Sequence, residues 1–265
     1  MSEENPVLLD VSPAGVAVVT LNRPDKHNAF NAEVIAALSD VFETLRANED
    51  GVRIVFLRGS GKSFSAGADL DWMKAAALYT EADNEEDALA LANMLRKLYE
   101  LPQMTVALVH GAAMGGGAGL LAACDIGVVM KDATIRFSEV RLGLTPATIS
   151  PFVIRAIGPK WARALFASGE GFDGEFAEKI GLAQYTVADM EEMTAMEEHL
   201  AKLAFAAAPG AVADAKQLVD DVYGREIDHG LGVHTAKAIA KRRASEEGKE
   251  GLSAFLERRK PDWAE

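Results

Sequence analysis

Cysteine is almost missing from this chain: Cys124 is the only one in 265 residues. A single thiol forms no internal disulfide, so the sequence reads as one that folds in a reducing compartment without covalent staples. Metal-site spacing is also lacking. The five histidines (His27, His110, His199, His229 and His234) include no pair four residues apart, and no metal or redox cofactor is expected. Long apolar runs are absent too. The most apolar stretch, residues 114–130, is glycine-rich and interrupted by Asp125, which is too short and broken for a bilayer span. The opening MSEENPVLLD has neither a basic region nor a long apolar one, so neither a signal peptide nor a transit peptide is expected. Positive charge is scarce: 27 Lys and Arg against 40 Asp and Glu leave a net charge of −13. Such a surface repels nucleic acid and anionic lipid, and neither is an expected partner. The class that survives is a cytoplasmic protein acting on a small molecule.

Several familiar motifs are approached and missed. Gly59-Ser60-Gly61-Lys62-Ser63 ends like a phosphate-binding loop, but the glycine required five positions before Gly61 is Phe56. The cluster Gly115–Gly119 begins like a dinucleotide fingerprint, yet its third glycine falls on Leu120 in one reading and on Ala122 in the other. No G-x-S-x-G elbow is present to anchor a hydrolase triad. Cys124, beside Ala122 and Ala123, reads as a packed thiol and not a nucleophile.

What is there is an alternation of strands and helices. Residues 6–11 and 16–21 read as strands around a Ser12–Gly15 turn, and 32–48 as a helix with Asn31 at its N-cap. Further strands are predicted at 53–57, 105–110, 126–130, 134–137 and 183–187. The acidic stretch 80–87 reads as irregular, leading into a helix that ends near Leu101-Pro102. Beyond Ala147 the pattern is mostly helical, with breaks at Pro209-Gly210 and His229-Gly230. The fold class is therefore α/β with a helical C-terminal extension.

Three segments carry the chemistry. Residues 65–70 and 110–117 are small-residue loops that follow strands and run into helices, so main-chain N–H groups there can face a ligand. Two such donors converging on one oxygen would form an oxyanion hole; tight connection between elements is the competing reading. Glu139, between an apolar strand and an apolar loop, is a candidate acid/base if it is buried. It could equally be solvated or paired with Arg141.

The strings LNRPDKHNAFN (21–31), GKSFSAGADLDWM (61–73), VHGAAMGGGAGLLAACDI (109–126), FSEVRLGLTP (137–146) and EGLSAFLERRKP (250–261) together resemble the crotonase superfamily of enoyl-CoA hydratases and isomerases. The resemblance implies a spiral of ββα units over residues 1–200, with a helical trimerisation region at 201–265. It implies an acyl-CoA thioester as substrate, with CoA arriving as part of it, and a homotrimer or a hexamer built from two trimers. By position it makes the amides of Ala68 and Gly116 the oxyanion donors and Glu139 the acid/base. Ala66, Asp69 and Leu70 would line the CoA path, Lys26 would lie near its phosphates, and His110 would be structural.

One departure stands out. Family members that hydrate straight-chain substrates carry a second glutamate, which would fall at position 119; here that residue is Gly119. The missing carboxylate, with Ala147-Thr148-Ile149-Ser150-Pro151 replacing a glycine-rich segment, is similar to bacterial methylglutaconyl-CoA and isohexenylglutaconyl-CoA hydratases. The resemblance thus favours hydration of a branched or carboxylated acyl-CoA, with Gly119 opening pocket space for the branch. The alternatives are a Δ3,Δ2-enoyl-CoA isomerase working through Glu139 alone, and an acyl-CoA-binding member without activity.

Overall fold

The computed structural model describes residues 5–48 and 51–264. Strands β1 (Val7–Val11) and β2 (Val16–Leu21) form an antiparallel hairpin, and helix α1 (Ala32–Ala47) follows. Asn31 caps α1 by accepting from the Val34 N–H, and the helix buries Val34, Ile35, Leu38, Phe42 and Leu45 along one stripe. Next come β3 (Ile54–Gly59), the short α2 (Leu70–Ala76) and the long α3 (Glu81–Tyr99). The third turn is β4 (Met104–Val109), β5 (Ala112–Met114) and α4 (Gly116–Ala123). The fourth is β6 (Ile126–Met130), β7 (Thr134–Arg136), a 3-10 turn over Glu139–Leu142, and α5 (Ser150–Ser168), which kinks at Gly158-Pro159.

Each turn of this spiral contributes to two sheets. The larger has the order β1-β2-β3-β4-β6-β9, where β9 is Tyr185–Val187, and all its pairs beyond β1–β2 are parallel. The smaller has the order β5-β7-β8, with β8 at Gly171–Phe172. Single bridges from Phe30 to Ala68 and from Ser65 to Ala113 continue the smaller layer back into the earlier turns. The main core fills the space between the larger sheet and helices α1, α3, α4 and α5. On the sheet's other face a second core packs Ile54, Phe56, Val106 and Val128 against Met193, Leu200 and Ala204 of α7 (Met190–Ala206).

Helices α8 (Pro209–Val222), α9 (His229–Ala244) and α10 (Glu246–Glu257) complete the chain, after α6 (Gly174–Lys179) earlier in the sequence. They are tied to the core by long cationic side chains. Arg53 donates to the carbonyls of Ala204, Ala207 and Trp263, and Lys216 to those of Leu101 and Gln103. Residue 200 lies within α7, which runs on to Ala206. Among the described residues, no helix is long and apolar enough to cross a membrane.

The stretch expected to be irregular, 80–87, is instead the start of α3. Thr80 and Asp83 form a reciprocal capping box, and Glu81 and Asp83 lie at the positive end of the helix dipole. The acidic residues in the stretch read as irregular are what start the helix. The three-residue strand β5 and the two-residue strand β8 were not expected; elements that short carry no periodicity.

Candidate active site

The loop after β3 and the loop after β4 run side by side. The Phe64 N–H donates to the His110 carbonyl at 2.9 Å, the Ser65 N–H to Ala112 at 2.9 Å, and the Met114 N–H to Ser65 at 2.9 Å. Past this base the two chains turn into helices α2 and α4. Gly67 and Gly115 sit at the turns with φ of 88° and 47°, a region open to glycine at little cost. On the first loop the Phe30 N–H donates to the Gly67 carbonyl at 2.6 Å and the Asp69 N–H to the Phe30 carbonyl at 2.7 Å. The Ala68 N–H between them has no partner among the described residues. On the second loop the Gly115 N–H donates to the Arg136 carbonyl at 3.0 Å. Gly116, the first residue of α4, likewise has an N–H without a partner, at the positive end of that helix.

Glu139 enters from β7, at the first position of the 3-10 turn. Its Oε1 lies 3.3 Å from where a Cβ on Gly115 would stand, which brings the carboxyl against the residue preceding the Gly116 amide. Oε2 is buried with no hydrogen-bond partner among the described residues. Burial pushes the Glu139 carboxyl above its ordinary range, opposed only in part by its own backbone N–H. Arg141 is not its counter-ion; that side chain lies instead against Gly169. The arrangement is a buried carboxyl beside two adjacent loops, each with an amide that has no partner among the described residues.

The remaining candidates divide. Ala66, Leu70 and Lys26 are exposed, and Lys26 reaches Asp71 at 3.7 Å. His110 binds the Gly61 carbonyl at 3.0 Å, a structural contact. Asp69 is held by other groups of the protein. It is 5% exposed, caps α2 by accepting from the Asp71 N–H, and pairs with Arg23 at 3.0 Å. Burial raises its pKa, but the Asp71 N–H, the Arg23 guanidinium and the Trp72 N–H together outweigh it and leave the carboxyl below its usual range.

Gly119 opens no pocket either. It is fully buried in α4, and a Cβ there would stand 2.4 Å from Ile149 Cγ2 and 3.5 Å from Leu95 Cδ1. The volume that a side chain at 119 would take is already filled by Ile149, itself 1% exposed. Cys124, at the end of α4, is half-buried; burial first, then the Asp125 carboxylate, pushes its thiol upward.

Sequence reasoning passed over Arg23, Asn28 and Phe30. Asn28 is 1% exposed, with its side chain bonded to the Arg23 N–H and the Ser60 and Ser63 carbonyls, and its backbone is left-handed at φ 55°. All three lie in the string LNRPDKHNAFN. Asn28 lies between His27 and Ala29, so no local pattern marks it, and two of its three partners, Ser60 and Ser63, lie more than thirty residues away in sequence.

Residues 12–265 match the family model described as enoyl-CoA hydratase/isomerase. A Thermus thermophilus protein provisionally named an enoyl-CoA hydratase is 34% identical over 257 residues, covering 96% of this chain and 99% of its own. A crotonase-type structure from Legionella pneumophila is 42% identical with a TM-score of 0.91, covering 98% of this chain and 99% of that one. An enoyl-CoA hydratase structure from Shewanella pealeana is 36% identical with a TM-score of 0.94, covering 98% and 97%. The chain belongs to the enoyl-CoA hydratase/isomerase family, with the crotonase fold.

Proposed function

We propose that the protein is an enoyl-CoA hydratase-type lyase, adding water to a 2-enoyl-CoA through an enolate held by the Ala68 and Gly116 amides. The observation that carries this reading is Glu139, a buried carboxyl without a partner on Oε2, set against Gly115 next to an unpaired amide. In this mechanism the Glu139 carboxylate takes a proton from water as the water oxygen bonds to C3. The C2–C3 π electrons move onto the thioester oxygen, where the two N–H groups hold the enolate. Glu139 then returns the proton to C2 and the thioester re-forms, so one water is consumed and the enzyme is unchanged. A raised pKa suits a group that must accept and release the same proton near working pH.

A branched or carboxylated acyl chain, of the methylglutaconyl type, is the substrate class we favour. It rests on the similarity of the 115–120 and 145–151 segments and not on vacant space at Gly119, which Ile149 fills. That same filled space favours a second reading, a Δ3,Δ2-enoyl-CoA isomerase. There Glu139 would remove a proton from C2 of a 3-enoyl-CoA and return it to C4, with no water to activate. Lys26, Ala66 and Leu70 are assigned to the CoA path, with no separate cofactor. A homotrimer or hexamer in the cytoplasm completes the proposal, and Ile227 between α8 and α9, with Phe255 and Leu256 of α10, offers exposed apolar contacts.

The deciding experiment follows the conjugated thioester absorbance with crotonyl-CoA, 3-methylglutaconyl-CoA and a 3-enoyl-CoA in parallel. Loss of the band with methylglutaconyl-CoA supports the hydratase. Growth of the band from the 3-enoyl-CoA alone hands the site to isomerisation. No change with any of them, with binding retained, leaves a non-catalytic acyl-CoA-binding protein.

A further inference from the structure

We propose that Phe30 is a positioning residue that sets the separation of the Ala68 and Gly116 amides; the inference rests on the oxyanion reading above. Phe30 is the residue that touches both loops where the amides sit. Its main chain binds Gly67 and Asp69, the neighbours of Ala68 on either side. Its ring faces the other loop: a Cβ on Gly116 would stand 2.9 Å from both Cδ2 and Cε2. The ring therefore spans from the chain carrying one donor to the Cα of the residue carrying the other.

Among the described residues, the main chains of the two loops are hydrogen-bonded to each other only at their base, through Phe64 and His110 and through Ser65, Ala112 and Met114. Farther out, the Phe30 ring against Gly116, the approach of Gly67 to the Met114 carbonyl and the packing of Ser65 against Gly117 hold their spacing. Phe30 is itself immobile. It is 1% exposed, and Arg23 binds the preceding carbonyl of Ala29 at 2.7 Å while reaching Asp69 at 3.0 Å. A flat ring with two torsions, packed on all sides, is a stiff spacer. Glycine at 116 follows from the same contact, because any larger residue meets the ring.

The test uses the whole protein and three variants: Phe30→Leu, Gly116→Ala, and both together. Two quantities are read. One is the red shift of bound cinnamoyl-CoA, which reports how strongly the amides polarise the thioester carbonyl. The other is the split between kcat and KM on whichever substrate the wild type turns over. Each single variant is expected to lose most of the red shift and ~10²-fold in kcat, as a misplacement of about 1 Å does, with cinnamoyl-CoA affinity little changed. The double variant is expected to recover part of both relative to Gly116→Ala, because the new methyl occupies volume the shortened side chain vacates.

A Phe30→Leu protein with wild-type shift and kcat overturns the proposal, as does a double variant whose losses simply add. A wild-type complex with no red shift overturns the oxyanion reading itself, and this inference with it. Should Phe30→Leu fail to fold by circular dichroism, Phe30→Met, closer in volume but flexible, takes its place with the same expected losses.

Discussion

Replacing Gly119 with alanine adds one methyl group at a position where the structure leaves no room for it. The new Cβ would lie 2.4 Å from Ile149 Cγ2, 3.1 Å from Ile149 Cβ and 3.5 Å from Leu95 Cδ1. Ile149 is β-branched and 1% exposed, and Leu95 is 0% exposed, so neither can swing into solvent to relieve the overlap. Overpacking of this kind costs ~1–3 kcal/mol. Alanine in a helix interior returns up to about 1 kcal/mol over glycine. The two contributions oppose each other, and a net loss of about 1–2 kcal/mol is expected. For a chain of this size that lowers Tm by roughly 2–8 °C, at about 2–4 °C per kcal/mol. The assay is urea and thermal unfolding of four proteins: wild type, Gly119→Ala, Ile149→Ala and the double variant. Ile149→Ala alone should cost ~2–5 kcal/mol as a cavity. The double variant should be less destabilised than the sum of the singles by about 1 kcal/mol or more, since each change fills or vacates the same volume. A Gly119→Ala protein as stable as wild type would refute the steric reasoning. So would strict additivity across the cycle.

Glu139→Gln keeps shape and removes the proton carrier, so turnover should fall by ~10² or more while acyl-CoA binding persists; unchanged turnover removes Glu139 from the mechanism. The pH profile should show kcat/KM rising as Glu139 ionises, with its midpoint above the ordinary glutamate value of 4.5. The same raised pKa has a stability consequence. A carboxyl that binds its proton more tightly when folded stabilises fully below its unfolded pKa, and that contribution is lost as pH rises through the folded pKa. Glu139→Gln is therefore expected to be at least as stable as wild type at neutral pH, measured by urea midpoint, and a clear loss there would contradict burial as the cause of the shift. Cys124, with its thiol pushed up by burial, should resist alkylation at pH 8 in the native protein and react on unfolding, as a timed iodoacetamide quench would show; rapid native labelling would contradict its assignment as packed.

Local signals accounted for much of the architecture. Apolar periodicity with Asn31 as cap placed α1, and continuous apolar runs placed β3, β4 and β6, because each depends on neighbours a few residues away. Glu139 and the two glycine-bearing loops were visible for a similar reason: a polar residue or a small-residue cluster among apolar strands is conspicuous in one dimension. The start of α3 was misread because its acids act through the backbone of their own first turn, which composition does not register.

Tertiary structure decided what depends on distant partners. Asp69 is placed on the CoA path by the family resemblance, and only folding brings Arg23 beside it, 46 residues away, to hold it in an ion pair. Gly119 looked like an opening until Ile149, thirty residues later, was found occupying it. Phe30 is one apolar residue among many until three separate segments meet around it. Pattern along the chain determined which elements form and where reactive groups are carried. Whether a group faces a ligand, an ion partner or a packed side chain depends on excluded volume and desolvation, and those exist only once the segments are assembled.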